Sequence, residues 1–118
     1  MTTTTAPVLQ PLTIEIGADF TAQVPFTDQA TGDPIPVGSP KMQIRASDYP
    51  NAVTVITPAL SASGNTITIT ISAAQSLTVT AEKISGVYDL FATRTDTNQV
   101  VKLLYGPVTF VENVTPLP

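Results

Sequence analysis

Apolar and polar residues alternate along most of this chain with a period of two. In LTIEIG, Leu12, Ile14 and Ile16 share one face while Thr13 and Glu15 take the other, the pattern of a half-buried strand. DFTAQVPF puts Phe20, Ala22, Val24 and Phe26 on a single face, and Pro25 within it predicts an edge or a strand end. KMQIRAS turns Met42, Ile44 and Ala46 inward and Gln43 and Arg45 outward, and AVTVITP forms a short strand ended by Pro58. The clearest run is TITITIS, with Ile67, Ile69 and Ile71 on one face and Thr66, Thr68 and Thr70 on the other. GVYDLFATRT and QVVKLLYGPVTFVEN flank an Asp/Thr/Asn-rich turn and read as a hairpin. Gly106-Pro107 predicts a bulge or bend in its return arm.

Between these runs the chain is punctuated. Residues 27–40, TDQATGDPIPVGSP, read as loop because Gly and Pro recur throughout. SASGN reads as a turn with Gly64-Asn65 at its apex. SAAQSL is the one helical candidate, with Ser72 as N-cap, and it is too short for more than a turn or two. Residues 1–11 read as an extended arm, residues 12–113 as one domain and residues 114–118 as an extended tail. Seven or eight short strands at spacings of about 8–14 residues predict an all-β antiparallel sandwich.

Composition agrees. Hydrophobic residues are 42% of 118 but aromatics only 6%, with no Trp, so the core must come from Val, Ile, Leu and Ala. Charged residues are 12%, about half the usual share, and Thr fills much of the gap. The 11 Pro suit an all-β chain with many turns better than helices.

Charge and residue types narrow the function. The five cations, Lys41, Arg45, Lys83, Arg94 and Lys102, are scattered and the net charge is −4, so no basic stripe is present to bind nucleic acid or an anionic membrane. No apolar run approaches the roughly 20 residues of a membrane span. MTTTTAPVLQ lacks the parts of a signal peptide, which predicts synthesis in a cytosol without export by the usual route. With no Cys and no His, thiolate catalysis, disulfides, the usual zinc sites and imidazole bases are excluded. No cofactor motif is present.

The remaining candidates are carboxylates. Asp89 lies mid-strand and shares a face with Val87 and Phe91; an unpaired charge buried there costs several kcal/mol, so the expectation is a structural ion pair with Arg45. Catalysis on sugars needs two carboxylates about 5–9 Å apart; Glu15 and Asp89 are the strand-centre pair, while Asp28, Asp33, Asp48 and Asp96 fall in turns. Residues 28–33, DQATGD, offer oxygen ligands near a Gly but depart from the EF-hand pattern and read as an ordinary turn. Asn113-Val114-Thr115 matches a glycosylation sequon, taken as chance without a secretory signal. The uncharged Thr66/Thr68/Thr70 face is either an interface or a solvated strand face.

The layout resembles small virion proteins of tailed bacteriophages. The resemblance rests on LTIEIG, DFTAQVPF, GDPIPVG, MQIRAS and TITITISAAQSLT, then on Gly86, Tyr88, Asp89 and Leu90, on residues 103–108 (LLYGPV) and on Val114-Thr115. This chain has Pro116 where such proteins often carry a charge, and Ile35-Pro36-Val37 where they tend to carry Asp-Leu. The resemblance implies an immunoglobulin-like sandwich with a non-catalytic structural role in the virion: capsid decoration or cement, or alternatively a tail, baseplate or fibre-attachment adaptor. The implied partners are other virion proteins and further copies of the chain, with no nucleic acid, membrane or cofactor. Thr2, Thr3, Thr4, Thr5, Val8 and Leu9 of the arm and Val114 and Leu117 of the tail are the expected interface, since a Thr-rich arm has little of its own to bury. A carbohydrate-binding or adhesion module is the remote alternative; it needs exposed aromatics, and Tyr49, Tyr88 and Tyr105 are scattered along the sequence.

Overall fold

Nine strand segments and one short helix form from the alternating runs in the computed structural model, which describes residues 8–28, 30–46, 54–79 and 85–111. They are β1 (Val8–Leu9), β2 (Leu12–Glu15), β3 (Phe20–Pro25), β4 (Val37–Arg45), β5 (Thr54–Ile56), β6 (Ala59–Ser63), β7 (Thr66–Ile71), α1 (Ala73–Ser76), β8 (Ser85–Arg94) and β9 (Val100–Val111). The large sheet runs β1-β9-β8-β4-β5, with β2 also on β9, and the small sheet runs β3-β7-β6. The chain is therefore all-β, with two sheets sharing one core.

That core follows from the period-two faces. Leu12 and Ile14 from β2, Met42 and Ile44 from β4, Tyr88, Leu90 and Ala92 from β8, and Val108 and Phe110 from β9 meet Ile67, Ile69 and Ile71 of β7. The three β7 isoleucines are fully buried, and burying each contributes roughly 1.5–3 kcal/mol. Phe26 and Ile35 close one end of the layer.

The helix α1 begins at Ser72, as its sequence predicts. Ser72 Oγ accepts from Gln75 N at 3.1 Å and Gln75 Oε1 accepts from Ser72 N at 3.1 Å, a capping box. Fully buried Ser76 is satisfied on both sides: its hydroxyl accepts from Gly17 N at 2.7 Å and donates to Ala73 O at 2.8 Å. One turn of helix thereby fixes the chain between β2 and β3.

Five expectations change. The edge strands β1 and β2 run parallel to β9, so the sandwich is not purely antiparallel, and residues 8–11 lie along the domain rather than apart from it. Strand β6 replaces part of the predicted turn: ALSAS has small residues and no alternation, yet it pairs with β7 across Gly64-Asn65. Gly64, at φ 59°, takes the first central position of that two-residue turn, where a type II′ hairpin needs glycine. Strand β4 starts at Val37 and takes in the last four residues of the predicted loop, with Ser39 at φ 48° where its pairing with β8 shifts register. Ala46 is exposed beyond the strand's end. The bulge in β9 falls at Leu103, between the pairs Leu90–Leu104 and Phe91–Lys102, and Gly106-Pro107 continues the ladder unbroken. Of the residues expected in arm and tail, Thr2, Thr3, Thr4, Thr5, Val114 and Leu117 lie outside the described residues.

Candidate interaction surface on the large sheet

The outer face of the large sheet is built from the odd positions of β4 and β8. Burial alternates along β8, with Gly86, Tyr88, Leu90 and Ala92 turned inward and Val87, Asp89 and Phe91 outward. Strand register then sets three rows across β4, β8 and β9: Lys41–Phe91–Lys102, Gln43–Asp89–Tyr105 and Arg45–Val87–Pro107. The bulge at Leu103 makes the first row possible. Without it, Lys102 would share a parity with Gly106, Val108 and Phe110, which point into the core; the extra residue turns Lys102 outward.

Three side chains converge on Lys102. Its Nζ lies 3.7 Å from Asp89 Oδ2, 5.4 Å from the centre of the Phe91 ring and 5.9 Å from that of Tyr105, within reach of cation–π attraction. Above the face is an open hollow of about 1020 Å³, whose lining also includes Leu9 of β1 and Thr57, Pro58 and Leu60 after β5. Tyr105 and Leu9 stay 40% and 56% exposed, so apolar surface is presented beside the charges.

The predicted partners Asp89 and Arg45 share this face on neighbouring strands, one diagonal step apart. The ion pair of Asp89 is with Lys102, and Arg45 Nε and Nη2 donate to Gln43 Oε1 at 3.2 and 3.0 Å. Asp89 keeps 48% of its side chain exposed, which corrects the premise of a buried charge: its apolar neighbours on the face line an open hollow instead of the core. Glu15 pairs in register with Val111 and Asp89 with Tyr105. Six residues along β9 separate the two levels, roughly 20 Å of strand, so these carboxylates do not converge.

A second feature joins the arm to the sheet. Tyr88 is buried, and its hydroxyl donates to Gln10 O at 2.6 Å; burial pushes the phenol up to about 12. Gln10 N donates to Tyr105 O at 2.8 Å. Gly106, at φ 153°, permits this passage, because a Cβ there would lie 2.9 Å from Gln10 O. A Cβ on Gly86 would lie 2.5 Å from Arg45 O. The glycines and the tyrosine of GVYDL and LLYGPV thus serve strand approach and an arm latch.

The loop of residues 28–33 is a self-capped turn. Asp28 Oδ1 accepts from Ala30 N at 2.8 Å and Thr31 N at 3.2 Å. Among the described residues no group of three or more acids could hold a metal ion. Tyr49 lies outside the described residues. Sequence reasoning missed the convergence on Lys102 and the Tyr88–Gln10 latch; a glycine interrupting the β9 alternation was the available sign of the second. No protein-family model matches this chain, and no curated protein sequence matches it either.

Proposed function

We propose that the protein is a non-enzymatic structural component of a tailed-phage virion, an immunoglobulin-like module that binds neighbouring subunits, with capsid decoration ahead of a tail or baseplate position. The observation that carries the binding role is the outer face of the large sheet, which holds an open hollow with exposed apolar groups and a clamped lysine. Strand order supports the immunoglobulin-like assignment: β9-β8-β4-β5 facing β3-β7-β6 corresponds to G-F-C-C′ facing B-E-D. The virion assignment rests on the sequence resemblance. Val8 and Leu9, exposed on the sheet edge, are the described part of the proposed interface. The test is fractionation of producing cells on a density gradient. The chain should band with intact particles and resist a high-salt wash; recovery only among free soluble proteins would overturn the reading.

A glycan-binding role is the second reading, favoured by one specific observation: Phe91 and Tyr105 lie on one face beside Gln43, Asp89 and Arg45. Sugar stacking on Tyr105 would make Tyr105→Ala abolish heat of binding in calorimetric titration with oligosaccharides. Absence of any heat with the unmodified chain removes this reading.

A further inference from the structure

Charge is unevenly placed on this molecule. Among the described residues the hollow is lined by three cations, Lys41, Arg45 and Lys102, and one acid, Asp89, on a chain whose net charge is −4. The opposite sign gathers at one end of the sandwich. There the loop between β3 and β4 abuts the β8–β9 turn, with Thr95 N donating to Pro36 O at 3.1 Å. Asp28, Asp33 and Asp96 stand at this end against Arg94, a formal −2. The loop is preformed, with Asp28 N donating to Asp33 O at 2.8 Å, Gly32 N to Asp28 O at 2.7 Å, and Gly32 at φ 77°. Residues 30–34 are exposed, and none of the described loop residues lines the hollow of its own chain.

We infer that the hollow receives the acidic loop of a second copy of this chain. A convex, anionic turn enters a concave face whose cation is held in place by Asp89, Phe91 and Tyr105. Such a contact is heterologous: each copy donates a loop and offers a hollow, so it propagates into a ring or a filament. Seventeen of the described residues line the hollow, short of the 20–30 per side in a standard interface. A single contact is therefore weak, and repetition makes it effective. The inference stands on the hollow and the loop and does not need the virion reading.

Sedimentation velocity of the purified chain tests it, over about 20–200 μM, a range that brackets a weak contact. In about 20 mM salt the weight-average sedimentation coefficient should rise with concentration; in about 500 mM, where the screening length falls to roughly 4 Å, it should not. Lys102→Glu should abolish the rise. Lys41→Glu, which leaves the Asp89–Lys102 pair intact, should reduce it and carries the test if the first variant fails to fold. Asp33→Lys should abolish it from the loop side. Mixing the Lys41→Glu and Asp33→Lys variants should restore association, because the intact loop of the first then meets the intact hollow of the second. A chain that stays monomeric at low salt overturns the inference and leaves the hollow to a different partner, while the virion reading keeps its own test. Association untouched by the hollow variants, or variants that remain apart when mixed, also overturns it.

Discussion

Tyr88 is where one residue ties sequence to architecture. Its ring fills the core and its hydroxyl holds the carbonyl of Gln10, so the first strand of the sheet depends on a side chain 78 positions away. Tyr88→Phe keeps the ring and leaves that carbonyl without its donor, at a cost of about 0.5–1.5 kcal/mol. The pH dependence has a defined sign. The folded-state phenol titrates near 12 and the unfolded one near 10, so the folded state holds its proton longer. Stability is intact below pH 10 and falls as pH rises towards 12, by roughly 2–3 kcal/mol for this group. Chemical denaturation at pH 9 and pH 11.5 should show a smaller alkaline loss for Tyr88→Phe than for the unmodified protein; equal losses would mean that Tyr88 is not the titrating group.

Asp89 gives the contrasting case. Its position among apolar neighbours was legible in the sequence, but the face on which they lie was not, because alternation assigns two faces without saying which one water covers. Lying half exposed at 3.7 Å from Lys102, it belongs with surface ion pairs worth at most about 1 kcal/mol. Asp89→Asn should change the unfolding free energy by less than about 0.5 kcal/mol. A loss of several kcal/mol in urea titration would restore the buried-pair reading.

At the scale of elements, the strands with strict alternation were legible and those without it were not. TITITIS announces β7 because every second residue is Ile. Apart from half-buried Leu60 the residues of β6 are small and exposed, so little in their pattern distinguishes strand from turn; pairing with β7 decides it. The bulge in β9 was expected at Gly106-Pro107, the only visible interruption, whereas it occurs at Leu103 among residues that look regular. Glycine there answers a different need, room for Gln10. Deleting Leu103 tests the role of the bulge. Deletion closes up the extra residue and leaves Lys102 beside Leu104 and opposite Phe91, still outward, so it should cost about 2–5 kcal/mol, the loss of the buried Leu103 side chain. Leu103→Ala, which keeps the register, should cost about 2–3 kcal/mol from lost packing. A deletion far worse than the alanine variant in thermal unfolding would show that β9 needs the bulged backbone itself.

For the whole molecule, the decisive feature is that its first strands close the sheet formed by its last. Strands β1 and β2 lie along the same side of β9, at residues 104–105 and 108–111, and Gln10 bridges them through Tyr88 and Tyr105. An edge strand exposes unpaired backbone groups that recruit other chains, so removing these segments should do more than shorten the protein. A truncation lacking residues 2–7 keeps β1, β2 and the Gln10 latch and is the reference for the comparison. Removing residues 2–11 takes away β1 and the Gln10 latch. It bares Leu104 and Tyr105 of β9 and should both lower the melting temperature and raise light scattering on warming. The gap between the two truncations is what separates an arm that belongs to this domain from one that serves only its neighbours. If both melt alike, residues 8–11 add nothing to the fold, and their exposed Val8 and Leu9 are left with binding as their use. If the longer truncation alone aggregates, the segment protects the β9 edge, and any subunit contact made through residues 2–9 is built on a strand the domain already needs.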